Sequence, residues 1–331
     1  MSAVKQTLTE LLRIPGPSGF EGACAAYIQE KIAPYVDEIK SDALGNLICV
    51  KKGKGKRVML AAHSDEIGLI VTGIEGSGFL RVAPIGGLHF ELLPGRHVRL
   101  KSGCAGVVFS EGGHADGKVS AQRLFIDIGA STKAEAEKKA NVGDWAVIEA
   151  QISELGARLS APYMDDRAGC AVLIETMKAL GAIDAEVYAV FTSQEEVGLR
   201  GAGPAAYALE PDLGIAVDVT IADDVPRAKE GVCVSRLGGG AAIKVMDRGI
   251  IAHPQVKRLM EEAADEAGVP YQLEVLTAGA TDAGAIHTSR GGVPSGTLSI
   301  PCRYVHSPAE TIDLNDLEGA VKLLTALLRK A

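Results

Sequence analysis

Glu195 and Glu196 stand side by side after the apolar run Val187-Tyr188-Ala189-Val190-Phe191. Two carboxylates at one place repel unless cations offset their charge. Regular strand geometry would send the two side chains to opposite faces, so a shared site requires the chain to break that alternation after Phe191. Similar residue types close other apolar runs. His63 and Asp65 follow Val58-Met59-Leu60-Ala61-Ala62, and Asp165 and Asp166 lie between a loop and a helical stretch. Asp218 ends the run Leu213–Val217, and His306 follows Gly296–Ile300 by way of Arg303-Tyr304-Val305. In open α/β sheets the functional crevice lies at the carboxyl ends of strands. Five separate elements would then deliver imidazole or carboxylate to one edge.

That donor set, without thiolate, suits zinc or a similar first-row divalent ion. Two histidines and at least three acids exceed one four-coordinate site with an open position. They fit two metals about 3.5–4 Å apart that share a carboxylate and a water. A further carboxylate is then needed to move protons. Singly, each residue has an ordinary reading: Asp165-Asp166 caps the next helix, Asp218 starts a turn, and His63 and His306 are packed or loop residues. Their joint occurrence at successive strand ends favours the metal reading. His89, His97, His114 and His253 lack such context and are read as structural; His287, near Asp282, is not assigned.

The elements that must position these groups are α/β in texture. Apolar spacing predicts helices over Ala3–Ile14 and Glu21–Tyr35, and strands over Leu44–Val50 and Val58–Ala62. The basic stretch Lys51–Arg57 between them reads as a solvated hairpin. From Gly68 to Ser160 short alternating segments separated by glycines predict a small β-barrel or sandwich, with one helix after the capping-box pattern Thr132-Lys133-Ala134-Glu135. After Ser160 helices and buried strands alternate again, and Asn315–Glu318 reads as the cap of a last helix ending near Arg329. The expected fold is a mixed central sheet flanked by helices, residues 1–67 and 161–331, interrupted by an inserted all-β module at 68–160. Insertions at loops are tolerated.

Composition narrows the partners. Thirty-four basic and forty-two acidic residues give a formal charge of −8, which argues against a nucleic-acid partner. Aromatic residues are only 4%, so the core must be built from Ala, Val, Ile and Leu. The six cysteines are scattered without a CxxC pair, which fits a reducing compartment rather than a disulfide framework. No apolar stretch is long enough for a bilayer, and Met1–Thr9 lacks a secretory pattern. A cytoplasmic protein with no membrane partner is expected.

Five segments together carry a family likeness: Ala62-His63-Ser64-Asp65-Glu66-Ile67-Gly68, Met164-Asp165-Asp166-Arg167, Ser193-Gln194-Glu195-Glu196-Val197-Gly198, Ala216-Val217-Asp218-Val219-Thr220 and Arg303-Tyr304-Val305-His306-Ser307. In this order they resemble the motifs of the M42 family of dinuclear metallo-aminopeptidases, over essentially the whole chain. The resemblance implies that Asp165 bridges two metals, that His63 and Asp218 complete one site, and that Glu196 and His306 complete the other. It implies Glu195 as the general base and acid, and Asp65 as the residue that orients His63. It also implies short peptide substrates, zinc with cobalt or manganese as alternatives, and a homo-oligomer of as many as twelve subunits. One departure is visible: Leu237-Gly238-Gly239-Gly240-Ala241 stands where the family often has Leu-Gly-Lys-Gly-Pro.

The alternatives are a metal-dependent deacylase or carboxypeptidase acting on another amide, a glycosidase using Glu195 with a second acid, and a non-catalytic assembly module. Arg236 and Arg303 are candidates to meet an acidic substrate.

Overall fold

The computed structural model describes residues 2–112, 119–226 and 233–331; His114 lies outside them. Helices α1 (Ala3–Leu11) and α2 (Gly22–Ile32) open the chain, followed by strands β1 (Glu38–Ser41), β2 (Leu47–Lys51) and β3 (Arg57–His63). The chain then leaves the large sheet for β4 (Gly68–Ile74), β5 (Leu80–Ile85), β6 (His97–Leu100), β7 (Ala105–Ser110), β8 (Leu124–Asp127), the short helix α3 (Lys133–Ala136) and β9 (Trp145–Ile148). It returns through β10 (Ser153–Leu155), β11 (Arg158–Ser160), α4 (Met164–Ala179), β12 (Glu186–Thr192), α5 (Ala202–Leu209) and β13 (Leu213–Ile221). The remaining elements are β14 (Ala241–Met246), α6 (Pro254–Ala267), β15 (Tyr271–Val275), α7 (Ala283–Ile286), β16 (Ser295–Arg303), β17 (Thr311–Asp313) and α8 (Leu314–Lys330).

The large sheet is mixed and eleven-stranded, in the order β1-β2-β12-β3-β13-β16-β17-β11-β10, with β14 and then β15 branching from β16. Its centre, β12-β3-β13-β16, is parallel. Both faces are covered, as buried parallel strands require. Along β3, Val58, Leu60 and Ala62 join the apolar cluster that includes residues of α1, α4, α6 and α8, whereas Met59 and Ala61 join the cluster with α5. The period of two thus shows within a run that is apolar throughout. The expected mixed sheet with flanking helices is what the chain forms.

The interrupting strands close into a six-stranded antiparallel barrel, β4-β5-β8-β7-β6-β9. Alternate residues such as Leu69 and Val71, Leu80 and Val82, Val98 and Leu100 fill its interior. The barrel strands run from Gly68 to Ile148. The segment Ser153–Ser160, read from sequence as part of the insertion, is instead a hairpin whose β11 pairs with β17 of the large sheet.

Three other local expectations are revised. Lys51–Arg57 is not a hairpin, because β12 lies between β2 and β3. The turn packs instead on the chain entering β12: the Lys54 and Gly55 amides donate to the Asp184 carbonyl, and a Cβ at Gly53 would fall 2.2 Å from the Ala185 carbonyl oxygen. Helix α8 is capped by Asp313, whose carboxylate accepts from the Asn315 amide, because β17 runs directly into the helix. Asp218 does not end its strand, since β13 continues to Ile221 beside β16. Its pairing with β3 stops at Ala216, and that register puts Asp218 level with His63, the last residue of β3, so both line the crevice.

Candidate metal centre

Asp165 is the hub of the site. Its Oδ1 lies 2.9 Å from His63 Nε2, and its Oδ2 lies 3.3 Å from His306 Nε2. One carboxylate therefore addresses two histidines that are carried on β3 and on the loop after β16. His63 Nε2 also lies 3.8 Å from Asp218 Oδ1 and 4.0 Å from Glu195 Oε2, while His306 Nε2 lies 3.3 Å from Glu196 Oε2. The seven residues that the family likeness gives a role are within this assembly: His63, Asp65, Asp165, Glu195, Glu196, Asp218 and His306.

The local folding explains the placement. Gln194 takes a left-handed conformation, φ +55°, directly after β12 ends. Strand alternation breaks there, and Glu195 and Glu196 turn to the same cleft. Asp65 fixes that turn: its Oδ1 accepts from the Glu195 amide at 3.0 Å and its Oδ2 from the Glu196 amide at 3.2 Å, with the Ser18 hydroxyl donating to Oδ2 at 2.7 Å. Asp65 also faces His63, its Oδ1 3.6 Å from Nδ1, and its backbone carbonyl is 3.2 Å from the same nitrogen. The residue expected to orient one histidine thus also anchors both glutamates. Asp165 and Asp166 have non-helical dihedrals at the start of α4, which sets their carboxylates apart from the regular helix that follows.

Three supporting residues were given no role in the site by the sequence reading. Glu310, 1% exposed, spends one oxygen on the Asp165 amide (3.1 Å) and the other on the His306 amide (2.6 Å). Arg167, fully buried, ties the start of α4 to the loop after β3: it donates to Glu66 Oε2 at 2.8 Å and to the Ser64 carbonyl. Asp166 brings a second carboxylate beside His63 and Asp218; its Oδ1 accepts from the Gly169 amide at 2.7 Å, and its Oδ2 is buried with no hydrogen-bond partner among the described residues. No sequence signal distinguished Glu310, whereas Asp166 and Arg167 were within a quoted motif and received no role.

The barrel also reaches the site. Gly86, φ +75°, follows β5, and a Cβ there would sit 2.8 Å from Ile67 Cγ2 and 3.2 Å from Glu196 Cβ. At Gly87 a Cβ would lie 3.0 Å from His306 Nδ1. Close approach of the two modules therefore depends on the absence of side chains at this pair.

The electrostatics are those of a site built for cations. Burial pushes the carboxyls of Glu195, Asp166 and Glu310 well above the ordinary range, and that of Asp218 up to about 8 with the Asp165 charge adding to it. Burial also raises Glu196. Burial acts the same way on Asp165, but contact with His306 and His63 holds its carboxyl below the usual range. Against burial, the surrounding carboxylates raise His63 well above normal and His306 up to about 12. Neutralisation by divalent ions would relieve the same crowding. The donors fit such ions. One group, from His63, Asp165 and Glu196, and a second, from His63, Asp166 and Asp218, each have their ligand atoms within 4.8 Å of one another. Glu196 Oε1 is buried and has no hydrogen-bond partner among the described residues.

The remaining sequence candidates lie elsewhere. Arg303 is committed to Asp224 through contacts of 2.6 and 2.7 Å. Arg236 is exposed, and its backbone brackets Gln272. The departure at Leu237–Ala241 forms a turn whose Gly238 and Gly240 amides donate to Asp316. At Gly240, φ +87°, a Cβ would meet the Pro270 carbonyl oxygen at 2.0 Å.

Comparison with known proteins places this geometry. The profile of the family described as M42 glutamyl aminopeptidase matches residues 45–323. A putative aminopeptidase of Acetivibrio thermocellus is 48% identical over 318 residues, covering 96% of each chain. Among solved structures, an aminopeptidase from the archaeon Desulfurococcus kamchatkensis superposes with a TM-score of 0.96 at 41% identity, covering 99% of this chain and 95% of that one. The TET1 peptidase of Pyrococcus horikoshii, which assembles into a tetrahedron or a large octahedral shell, matches with a TM-score of 0.89 at 36% identity, covering 99% of this chain and all of that one.

Proposed function

The chain belongs to the M42 glutamyl aminopeptidase family and is a metal-dependent aminopeptidase, and from that premise we propose that it removes N-terminal residues from short peptides at the cluster centred on Asp165. The observation that carries this reading is Asp165 itself, with each oxygen facing a different histidine. His63, Asp218 and Asp165 would hold one divalent ion, and Glu196, His306 and Asp165 would hold the other. Zinc is the first choice, and the same ligands accept cobalt or manganese. When bound, the metal pair polarises the scissile carbonyl and lowers the pKa of water.

The protein's own groups do the rest. Glu195 is left out of the ligand set, and its Oε2 lies in the same cleft. It takes a proton from the attacking water and returns it to the leaving amine. Burial raises its carboxyl, which favours a base working near neutral pH. Asp65 keeps Glu195 and Glu196 in register through their amides. The glycosidase and deacylase readings give way to the family's peptide-bond chemistry.

In this reading residues 1–67 and 149–331 form the catalytic domain, and 68–148 the inserted barrel, which serves assembly. The Pyrococcus horikoshii shells support a homo-oligomer, with twelve subunits as the expected tetrahedron. The scattered cysteines support a cytoplasmic location.

The test compares a free aminoacyl anilide with its N-acetylated analogue, before and after chelation. The free substrate should be cleaved, chelation should abolish turnover, and zinc, cobalt or manganese should restore it. Equal cleavage of the acetylated analogue, or full activity in metal-free protein, would overturn the proposal.

A further inference from the structure

The cleft that contains the cluster has a volume of about 470 Å³ and extends past it along the end of β13. Leu199, Val219, Ile221, Leu276, Ala280 and Val305 give it an apolar wall. Among the described residues that line it, the one lysine or arginine is Lys244. Lys244 is 1% exposed. Its Nζ lies 3.1 Å from Asp247 Oδ2 and 3.0 Å from Glu274 Oε1. Both acids are themselves fixed. Glu274 Oε1 accepts from the Thr220 hydroxyl at 2.6 Å, and Asp247 Oδ1 accepts from the Gly249 and Ile250 amides at 2.7 and 2.9 Å. Glu274 Oε2 is buried with no hydrogen-bond partner among the described residues. One positive charge in the pocket lining is thus set against two negative ones that do not line it.

We propose that this pocket receives the side chain of the substrate's N-terminal residue and selects an uncharged, apolar one, with Lys244, Asp247 and Glu274 as the specificity-determining group. The inference rests on the cluster being the catalytic centre. A substrate carboxylate could reach Lys244 only by competing with two fixed carboxylates, and it would add a third negative charge to an existing excess. A substrate ammonium would meet Lys244 at the pocket surface, with the acids that would welcome it lying behind. An aliphatic side chain asks nothing of the triad and is covered by the six apolar residues. Discrimination therefore comes from a lysine that is present but already spent.

The balance can be changed by one atom. Glu274→Gln keeps the oxygen that Thr220 needs and removes one negative charge, leaving Lys244 paired with Asp247 alone. The experiment uses the metal-loaded, full-length enzyme and the p-nitroanilides of Leu, Met, Glu and Lys. In the wild type, kcat/KM for Leu or Met should exceed that for Glu and Lys by at least about tenfold. In Glu274→Gln, the ratio of Glu to Leu should rise by at least about tenfold. A wild type that prefers Glu or Lys overturns the proposal. So does a variant that slows all four substrates in proportion, which is the signature of a merely structural role. Absence of turnover on every anilide would strike the catalytic-centre reading and this inference with it. Should Glu274→Gln not fold, Asp247→Asn, which keeps an oxygen for Gly249 and Ile250, is read by the same ratio.

Discussion

Replacing Glu310 tests how the site is held together. Both of its oxygens accept from backbone amides, those of Asp165 and His306, and the side chain is almost wholly buried. A buried donor left without a partner costs about 1–3 kcal/mol. Glu310→Ala strands two, about 2–6 kcal/mol, which is a large share of a typical domain stability of about 5–15 kcal/mol. Glu310→Gln is the sharper perturbation. Its carbonyl oxygen can serve one amide, but its NH₂ must face the other, so one donor is stranded at about 1–3 kcal/mol. The cost falls on the two backbone positions that aim Asp165 and His306. Residues that orient metal ligands are typically worth 10–100-fold in metal affinity. Metal-free Glu310→Gln should therefore bind zinc or cobalt about 10–100-fold more weakly by titration calorimetry, while circular dichroism shows the wild-type fold. Glu310→Asp, one methylene shorter, cannot span both amides and should behave alike. A folded Gln variant with wild-type affinity for both ions would refute the bracing role of Glu310.

Glu195→Gln should keep two metals per subunit by elemental analysis yet lose at least about 100-fold in kcat; near-normal turnover would remove Glu195 as the base. His306→Ala should lose metal occupancy and activity together, seen as fewer than two ions bound. Chelation should lower the urea midpoint, because the buried carboxylates then repel without cations, and an unchanged midpoint would count against a structural share for the metals. Burial raises the Asp316 carboxyl to about 6, above its unfolded value near 3.9. The folded state then binds the extra proton, so this residue's contribution is full at lower pH and is lost as pH rises from about 4 to about 6, by at most about 1.4 kcal/mol per pH unit. Asp316→Asn should flatten that part of the stability profile.

Several of the residues that could be read from sequence share a property: they are chemically distinctive groups at the end of an apolar run. His63 after β3 and the Glu195-Glu196 pair after β12 announce themselves by local contrast. Glu310 does not, because its meaning lies in an amide 145 residues away. Lys244 lies within a short apolar strand and looks like a solvent-facing position until β15 brings Glu274 beside it. The same limit applied to backbone. Strand β17 has three residues, all buried, and strand β11 also has three. Neither carries a periodic signal of its own, and each becomes a strand through its partners. The Lys51–Arg57 turn was misread for a related reason, since nothing local shows that a strand more than a hundred residues later will slip between its flanks.

The glycine pair at the barrel's edge constrains how this protein can change. A Cβ at Gly87 would meet the ring of His306, and one at Gly86 would press on Ile67 and Glu196. An inserted module that merely hung from a loop could be swapped for any other of similar span. This one forms part of the enclosure around the reacting groups. A barrel transplanted from a relative would have to bring two side-chain-free residues to the same spot, at the same separation, or displace His306. The two modules are therefore one unit of exchange, and recombination between homologues should be tolerated within either module more readily than across their junction.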